Sequence, residues 1–135
     1  MDNLKRIVDF LHESVFYVAT VDENEKPKVR PFGAIGLING KLCICTNSTK
    51  NVSKQFKTKT AVEIARANEE GLWLRLTADI KLNEDKNVKV EMFRQNPELN
   101  DIYDDSRINI FEVFCLKNIE ASFRGLDGSV EKLEL

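Results

Sequence analysis

The 135-residue sequence lacks the features of several protein classes. It has no apolar run near the roughly 20 residues of a membrane-spanning helix, and charged residues interrupt its apolar amino-terminal segment, unlike a signal peptide. It has no excess of positive charge, because 20 lysines and arginines face 22 acidic residues. Overall attraction to nucleic acid or anionic membranes is therefore absent. We expect a cytoplasmic protein with no nucleic-acid or membrane partner, in which any anion site is local.

Cysteine and histidine are too scarce for a disulfide scaffold, a metal cluster or a catalytic triad. Cys43 and Cys45 stand two residues apart and Cys115 is distant, so there is no second cluster with metal-ligand spacing. We interpret all three as reduced thiols in apolar sites, with a redox or metal role as the alternative. His12 is the only histidine and has no accompanying motif for nucleophilic or metal chemistry. The sequence therefore predicts no metal site.

Length and composition indicate one domain over residues 1–135, since 42% hydrophobic and 31% charged residues are ordinary for a globular protein. Helical spacing of apolar residues predicts a leading helix over 3–13 and two short inserted helices, which end near Thr58 and Asn96. Alternating or β-branched runs predict six or seven strands, at residues 15–21, 28–38, 41–46, 61–67, 72–82, 108–123 and, as a short last strand, 130–135.

The order of these elements favours a mainly β fold of the α+β kind. Asn39-Gly40 between two apolar runs predicts a tight hairpin, because both central residues of a type I′ turn need positive φ. The first strands follow one another without crossover helices, whereas parallel neighbours need a dozen or more connecting residues. The sequence therefore predicts a six- to seven-stranded antiparallel barrel decorated by helices.

The second predicted strand carries an unusual segment, Arg30-Pro31-Phe32-Gly33-Ala34-Ile35-Gly36. Proline removes a ladder hydrogen bond and the two glycines weaken strand packing. Such a strand is usually an edge or a docking surface. The alternative is a bulge at Pro31, with glycines that relieve crowding in a small barrel.

The segment Thr46-Asn47-Ser48-Thr49-Lys50-Asn51 leaves a strand and enters a helix. Helix amino termini have free N–H groups and a partial positive charge, so they accept phosphate, and hydroxyls with a lysine complete its shell. Lys50 opposes the helix dipole, which is best explained by an anion between them. The alternative is a solvated basic helix face. A nucleic-acid-binding helix is a weaker hypothesis, because the protein as a whole is acidic.

Trp73 and Arg75 lie on the face of the fifth predicted strand opposite its leucines. A large aromatic beside an arginine on a polar face is typical of a subunit contact or a ligand wall. The alternative is a single exposed tryptophan partly covered by neighbouring lysine and arginine stems.

Taken together, the motifs resemble the pyridoxamine 5'-phosphate oxidase-like family of FMN-binding split barrels. The similarity runs through FYVATVDENEKPKVRPFGAI, LINGKLCICTNSTKNVSKQF, AVEIA, WLRLTADI and NPELNDIY, in that order. It implies a split barrel and a homodimer with two FMN sites at the subunit interface. The family also includes binders of haem or deazaflavin. The chain is much shorter than true pyridoxamine phosphate oxidases and shows no pyridoxal-phosphate substrate site.

The resemblance also implies roles for particular residues. Arg30 and Lys50 correspond to the basic ligands of the FMN phosphate. The other implied cofactor contacts are the rest of the phosphate loop, Asn47, Ser48, Thr49 and Asn51, the strand positions beneath the flavin ring, Pro31, Phe32, Cys45 and Thr46, and two positions that the opposite subunit contributes, Trp73 and Arg75. No residue is assigned a catalytic role.

Two functional hypotheses follow from this resemblance. The first is an FMN-dependent oxidoreductase that acts on an unknown small molecule, with an electron donor such as NAD(P)H, in which the flavin itself performs the hydride chemistry. The second is a non-catalytic flavin- or haem-binding module, a sensor or a store. Because the hydride chemistry belongs to the cofactor, the sequence does not separate them.

Overall fold

The computed structural model describes residues 2–135, which form eight strands, four α-helices and one 3-10 turn. In chain order the elements are α1 (Asn3–His12), β1 (Phe16–Val21), β2 (Pro27–Phe32), β3 (Ile35–Ile38), β4 (Lys41–Asn47), α2 (Asn51–Thr58), β5 (Ala61–Ala67), β6 (Trp73–Asn83), α3 (Lys86–Gln95), α4 (Leu99–Ile102), the 3-10 turn (Ile108–Ile110), β7 (Phe111–Arg124) and β8 (Val130–Leu133). None of these helices is long and apolar enough to cross a membrane.

The strands form one antiparallel sheet in the order β2-β1-β5-β6-β7-β4-β3, and β8 pairs with the distal half of β7. The long β7 pairs with β4 through its first residues and with β8 through its last. Among residues 2–135 no ladder joins β2 to β3, so the barrel remains split between these two edges. The predicted antiparallel split barrel is confirmed, with eight strands instead of six or seven.

The additional strand arises because the predicted strand over residues 28–38 is two strands. β2 pairs with β1, and β3 pairs with β4, so the chain crosses from one edge of the sheet to the other at Gly33 and Ala34. Both halves have strand composition, and local sequence does not show that they take different partners. The next turn is as predicted, with positive φ at Asn39 and Gly40 (52° and 76°).

The end of α3 is fixed to the edge of β3 by two side-chain amides. Gln95 accepts a hydrogen bond from the Leu37 N–H and donates to the Leu37 carbonyl, both at 3.0 Å. Asn96 accepts a hydrogen bond from the Ile35 N–H at 3.4 Å and donates to the Ile35 carbonyl at 3.0 Å. A Cβ at Gly36 would lie 3.0 Å from Gln95 Oε1, so glycine allows this close approach. These amides occupy part of the edge that β3 would otherwise leave unpaired.

Two apolar clusters hold the fold together. The larger lies between the sheet, α1 and α2, and its fully buried aromatic residues are Phe16, Phe56 and Phe114. The smaller lies beneath α3 and α4, where Met92, Leu99 and Phe111 are buried. Because α4 belongs to this second cluster, packing in the cluster determines where α4 lies.

The cysteine pairing corrects the expectation of three reduced thiols. Cys43 and Cys115 are partners in the β4–β7 ladder and are joined by a disulfide. They are 72 residues apart in the sequence, and strand register alone brings them together. Cysteine spacing therefore gave no sign of the pair. Cys45 is free and buried.

Candidate functional site

A cavity of about 240 Å³ opens where the chain crosses from β2 to β3. Its walls are the crossing itself, the end of β4, the start of α2 and the α4 turn. The lining residues are Arg30, Pro31, Phe32, Gly33, Ala34, Cys45, Thr46, Lys50, Val52, Glu98, Leu99, Ile102 and Tyr103. The unusual strand segment and the strand-to-helix segment, some 15 residues apart in the sequence, thus form one site. Six of the predicted site residues line it: Arg30, Pro31, Phe32, Cys45, Thr46 and Lys50.

The amino terminus of α2 is the part of this site best suited to an anion. Lys50 is the N-cap of the helix, and its own side chain makes no capping hydrogen bond. The Ser53 N–H bonds the Lys50 carbonyl at 3.1 Å, whereas the N–H groups of Asn51 and Val52 have no acceptor within the described chain. Two free N–H groups and the positive end of the helix dipole therefore lie at the start of α2, next to a lysine that lines the cavity.

The loop before α2 is ordered from inside the protein. Asn47 is 2% exposed, and its Oδ1 accepts hydrogen bonds from the Thr49 N–H at 3.1 Å and from the Thr49 hydroxyl. The Ser48 N–H bonds the Ile110 carbonyl at 2.9 Å. The Asn47 side chain thus orders the loop from within, while Ser48, Thr49 and Asn51 are exposed on its outside.

The guanidinium of Arg30 is held in place by three protein acceptors. It donates to the Val18 carbonyl at 3.2 Å, to the Thr20 hydroxyl at 2.8 Å and to Gln55 Oε1 at 2.8 Å. Burial lowers the pKa of Arg30 from 12.5, but an arginine at such a value stays charged at neutral pH. Since a guanidinium has five N–H donors, two remain for a ligand. Arg30 is therefore a fixed positive charge in the cavity wall.

The Cys45 thiol faces a site that keeps it protonated. Burial and, to a smaller extent, the charge of Glu98 raise the pKa of Cys45 to about 12, while Lys50 opposes the shift. The thiolate is the reactive form, so it is scarce until the pH approaches 12. Cys45 is therefore an apolar wall residue at neutral pH and not a nucleophile.

We expect iodoacetamide at pH 8 to alkylate the native protein at Cys45 at least about a hundredfold more slowly than a free cysteine, because so little thiolate is present. Mass spectrometry of the native protein should show no adduct. After unfolding without reductant it should show one adduct, at Cys45, because the other two cysteines are disulfide-bonded. Rapid alkylation of native Cys45 would contradict this account of the thiol.

Trp73 and Arg75 are not part of the cavity of their own chain. They lie on the outer face of β6, and Leu74 between them is buried, as the alternation predicted. The Arg124 guanidinium lies 5.7 Å from the Trp73 ring centre, and Arg75 is 3.6 Å from a carboxylate oxygen of Glu63. Whether they contact a cofactor held by a partner subunit stays a prediction.

The wall that α4 provides was not predicted from the sequence. The single turn Leu99–Ile102 is too short to show helical periodicity, and Pro97 marks only the end of the preceding helix. Glu98, Ile102 and Tyr103 line the cavity from this segment. The signal that could have found them is the NPELNDIY motif, which spans the whole turn.

Comparison with known proteins gives matches among solved structures, while no protein-family model and no curated protein matches the chain. The chain is similar to a NimC/NimA family protein from Clostridium acetobutylicum, at 36% sequence identity and a TM-score of 0.88, covering 97% of this chain and 91% of that one. It is also similar to a pyridoxamine 5'-phosphate oxidase-related, FMN-binding protein from Nostoc punctiforme, at 14% identity and a TM-score of 0.58, covering 96% and 91%. A haem-binding protein from Mycobacterium smegmatis matches at 16% identity and a TM-score of 0.72, covering 95% and 55%. These last two likenesses concern the fold alone.

Proposed function

Since the chain belongs to the NimC/NimA family and has the split-barrel fold of pyridoxamine 5'-phosphate oxidase-like proteins, we propose that it binds FMN in the cavity beside α2. The observation that carries this proposal is the anion position at the start of α2. There the unpaired N–H groups of Asn51 and Val52 lie beside Lys50, and Arg30 lines the same cavity. A phosphate monoester has a charge of about −2 at neutral pH and matches two cations and a helix end.

The rest of the cavity fits the flat ring of a flavin. Pro31 and Phe32 line one wall, and a Cβ at Gly33 would meet nothing within 4 Å, so the wall is open there. Leu99 and Ile102 provide an apolar surface from the α4 turn. A planar, largely apolar ring with one phosphate tail matches this division into an apolar and a cationic part.

Haem is a weaker candidate for this site. None of the described residues that line the cavity is a histidine, and His12, on α1, hydrogen-bonds the Ile35 carbonyl. The cavity sulfur, Cys45, is buried in the wall and is a protonated thiol in the cofactor-free chain. The usual protein ligands of haem iron are histidine, thiolate, methionine and tyrosine. The tyrosine that lines the cavity, Tyr103, is buried, and its hydroxyl accepts a hydrogen bond from Asn47 at 3.0 Å. The donor set therefore favours a flavin.

For activity we propose flavin-dependent oxidoreduction of a small molecule, in which FMN supplies the hydride chemistry and this chain supplies binding and orientation. The alternative is a flavin-binding module without turnover. Anaerobic addition of NADH or NADPH to the flavin-loaded protein separates the two. Rapid bleaching of the flavin supports an oxidoreductase that uses that donor, and no bleaching with either donor supports the module.

We further propose a cytoplasmic homodimer in which Trp73 and Arg75 complete the site of the partner subunit. The cavity of one chain is smaller than the roughly 300–1,000 Å³ of typical ligand pockets, as a site shared between subunits would be. An apolar depression on the outer sheet face carries Val15 and Tyr17, which are 47% and 51% exposed, beside Trp73. The adjacent face mixes both signs of charge, as a self-complementary interface requires.

We expect Trp73→Glu to convert a dimer into a monomer and to weaken FMN binding, because the substitution places a charge in the lining of the apolar depression. Light scattering at micromolar concentration measures the mass. Val90→Glu is the matched control, since Val90 is 67% exposed on α3, away from this face, and should leave the dimer intact. A wild-type protein with only monomer mass would contradict the proposed dimer.

A further inference from the structure

A buried hydrogen bond connects the α4 wall of the cavity to the loop that precedes α2. The Asn47 side chain donates from Nδ2 to the Tyr103 hydroxyl at 3.0 Å. Both residues are buried, at 2% and 8% exposure. Tyr103 follows α4 directly and lines the cavity, whereas Asn47 ends β4. Two cavity walls that are distant in sequence are thus connected through one tyrosine hydroxyl.

Packing fixes the position of that hydroxyl. The Tyr103 ring meets the Phe111 ring edge-on, with 4.9 Å between centres, and the Arg107 guanidinium lies 5.7 Å from the Tyr103 ring centre. The Tyr103 N–H bonds the Leu99 carbonyl at 2.8 Å, which also fixes the backbone. The hydroxyl is therefore a stationary acceptor for the Asn47 amide.

The orientation of the Asn47 amide determines what it offers the loop. While Nδ2 points to Tyr103, Oδ1 points to Thr49 and accepts from its N–H at 3.1 Å and from its hydroxyl. An asparagine side chain can take two orientations, related by a half-turn about its terminal C–C bond. In the flipped orientation Nδ2 would face the Thr49 N–H, so that two donors would oppose each other. The Thr49 N–H, which can only donate, selects the orientation with Oδ1 toward it, and the Tyr103 hydroxyl, which accepts from Nδ2, anchors the amide in that position directly before Lys50.

We infer that Tyr103 is a positioning residue for the phosphate of the bound ligand, acting through Asn47 on the loop that contains Thr49 and Lys50. This inference rests on the proposed FMN function of the same cavity. It gives the α4 wall, which sequence analysis missed, a role in binding the phosphate tail and not only the ring. It also gives a role to the polar contact that Tyr103 makes at the edge of an otherwise apolar cluster.

The test is Tyr103→Phe, which removes one oxygen and keeps the ring packed on Phe111. We expect FMN affinity, measured by quenching of flavin fluorescence, to fall about tenfold, as for loss of one ordered contact to a charged group. Riboflavin affinity should change less than about twofold, because riboflavin has no phosphate for the loop to hold. A purely structural role for Tyr103 would weaken both ligands equally, and that result would overturn the inference.

Asn100→Ala is the matched control on the same turn. Within residues 2–135 its amide bonds only the Pro97 carbonyl, and Asn100 does not line the cavity, so both affinities should be unchanged. Asn47→Ala alone should reduce the preference for FMN over riboflavin. Adding Tyr103→Phe to Asn47→Ala should reduce that preference little more, because the two substitutions act through the same Asn47 amide. Fully additive effects would overturn the inference.

Amide hydrogen exchange of the flavin-free protein tests the inference without a ligand, because it measures directly how well the Thr49 N–H is held. In Tyr103→Phe the Thr49 N–H should exchange several-fold faster than in wild type, while the Leu37 N–H, held by Gln95, should not change. Unchanged exchange at Thr49 would overturn the inference.

If wild type binds riboflavin as tightly as FMN, the proposed function itself fails, and the inference fails with it. If wild type prefers FMN and Tyr103→Phe keeps that preference, only the inference fails.

Discussion

Lys50→Glu should abolish retention of FMN while the fold remains intact. Lys50 is the N-cap of α2 and lines the cavity, beside the unpaired N–H groups of Asn51 and Val52. The substitution removes a charge-assisted partner of the phosphate and adds a like charge, so we expect FMN affinity to fall by more than about a hundredfold. A glutamate near a helix amino terminus interacts favourably with the dipole, by about a few tenths of a kcal/mol. Thermal stability without cofactor should therefore be unchanged or slightly higher.

Lys54→Glu is the matched control for this experiment. It makes the same charge change one turn later on α2, at an exposed side chain that does not line the cavity. Isothermal titration of both variants with FMN should show the large loss only for Lys50→Glu. Equal losses of affinity would indicate that general surface charge attracts the ligand. Full flavin occupancy in Lys50→Glu would show that the lysines of α2 form a solvated helix face and do not bind the phosphate.

FMN should bind far more tightly than riboflavin, which has the same ring and no phosphate. Without the phosphate, the cations at Arg30 and Lys50 and the free N–H groups of α2 would lose their partner in a partly desolvated cavity. We expect a loss of about 3 kcal/mol, a factor of more than a hundred in Kd. Parallel fluorescence titrations with the two ligands measure the difference, and equal affinities would show that the anion position does not hold the ligand.

FAD is the second ligand to compare with FMN. It would need room and donors for a pyrophosphate and an adenosine, and the sequence has no G-x-G-x-x-G turn in a βαβ unit to supply them. We therefore expect FAD to bind more weakly than FMN. Equal affinity for FAD would show that the site leaves the phosphate end of the ligand open to solvent.

Local sequence was sufficient for most elements of the fold. Helical spacing placed α1 and α2 within about a residue, because their apolar faces pack on the sheet at regular intervals. Alternation placed β6, where Leu74 and Leu76 are fully buried. Asn39-Gly40 placed the hairpin, since the turn itself demands those residues. In each case the physical cause acts within a few residues of the signal.

Long-range pairing could not be predicted from the same signals. The division of residues 28–38 into β2 and β3 depends on which strands each half pairs with, and the disulfide of Cys43 with Cys115 depends on the register of β4 and β7. At the site, the segments 30–36 and 46–51 were identified separately, from proline, glycine and helix-end chemistry. The bond between Asn47 and Tyr103 connects elements 56 residues apart and has no local signal.

The absorbance spectrum of freshly purified protein, with mass analysis of the released cofactor, tests the central claim most directly. We predict a yellow protein with the two visible absorption bands of oxidised flavin and a released cofactor with the mass of FMN. A spectrum with an intense Soret band, or a released cofactor with the mass of haem, would contradict the assignment of the cavity to FMN.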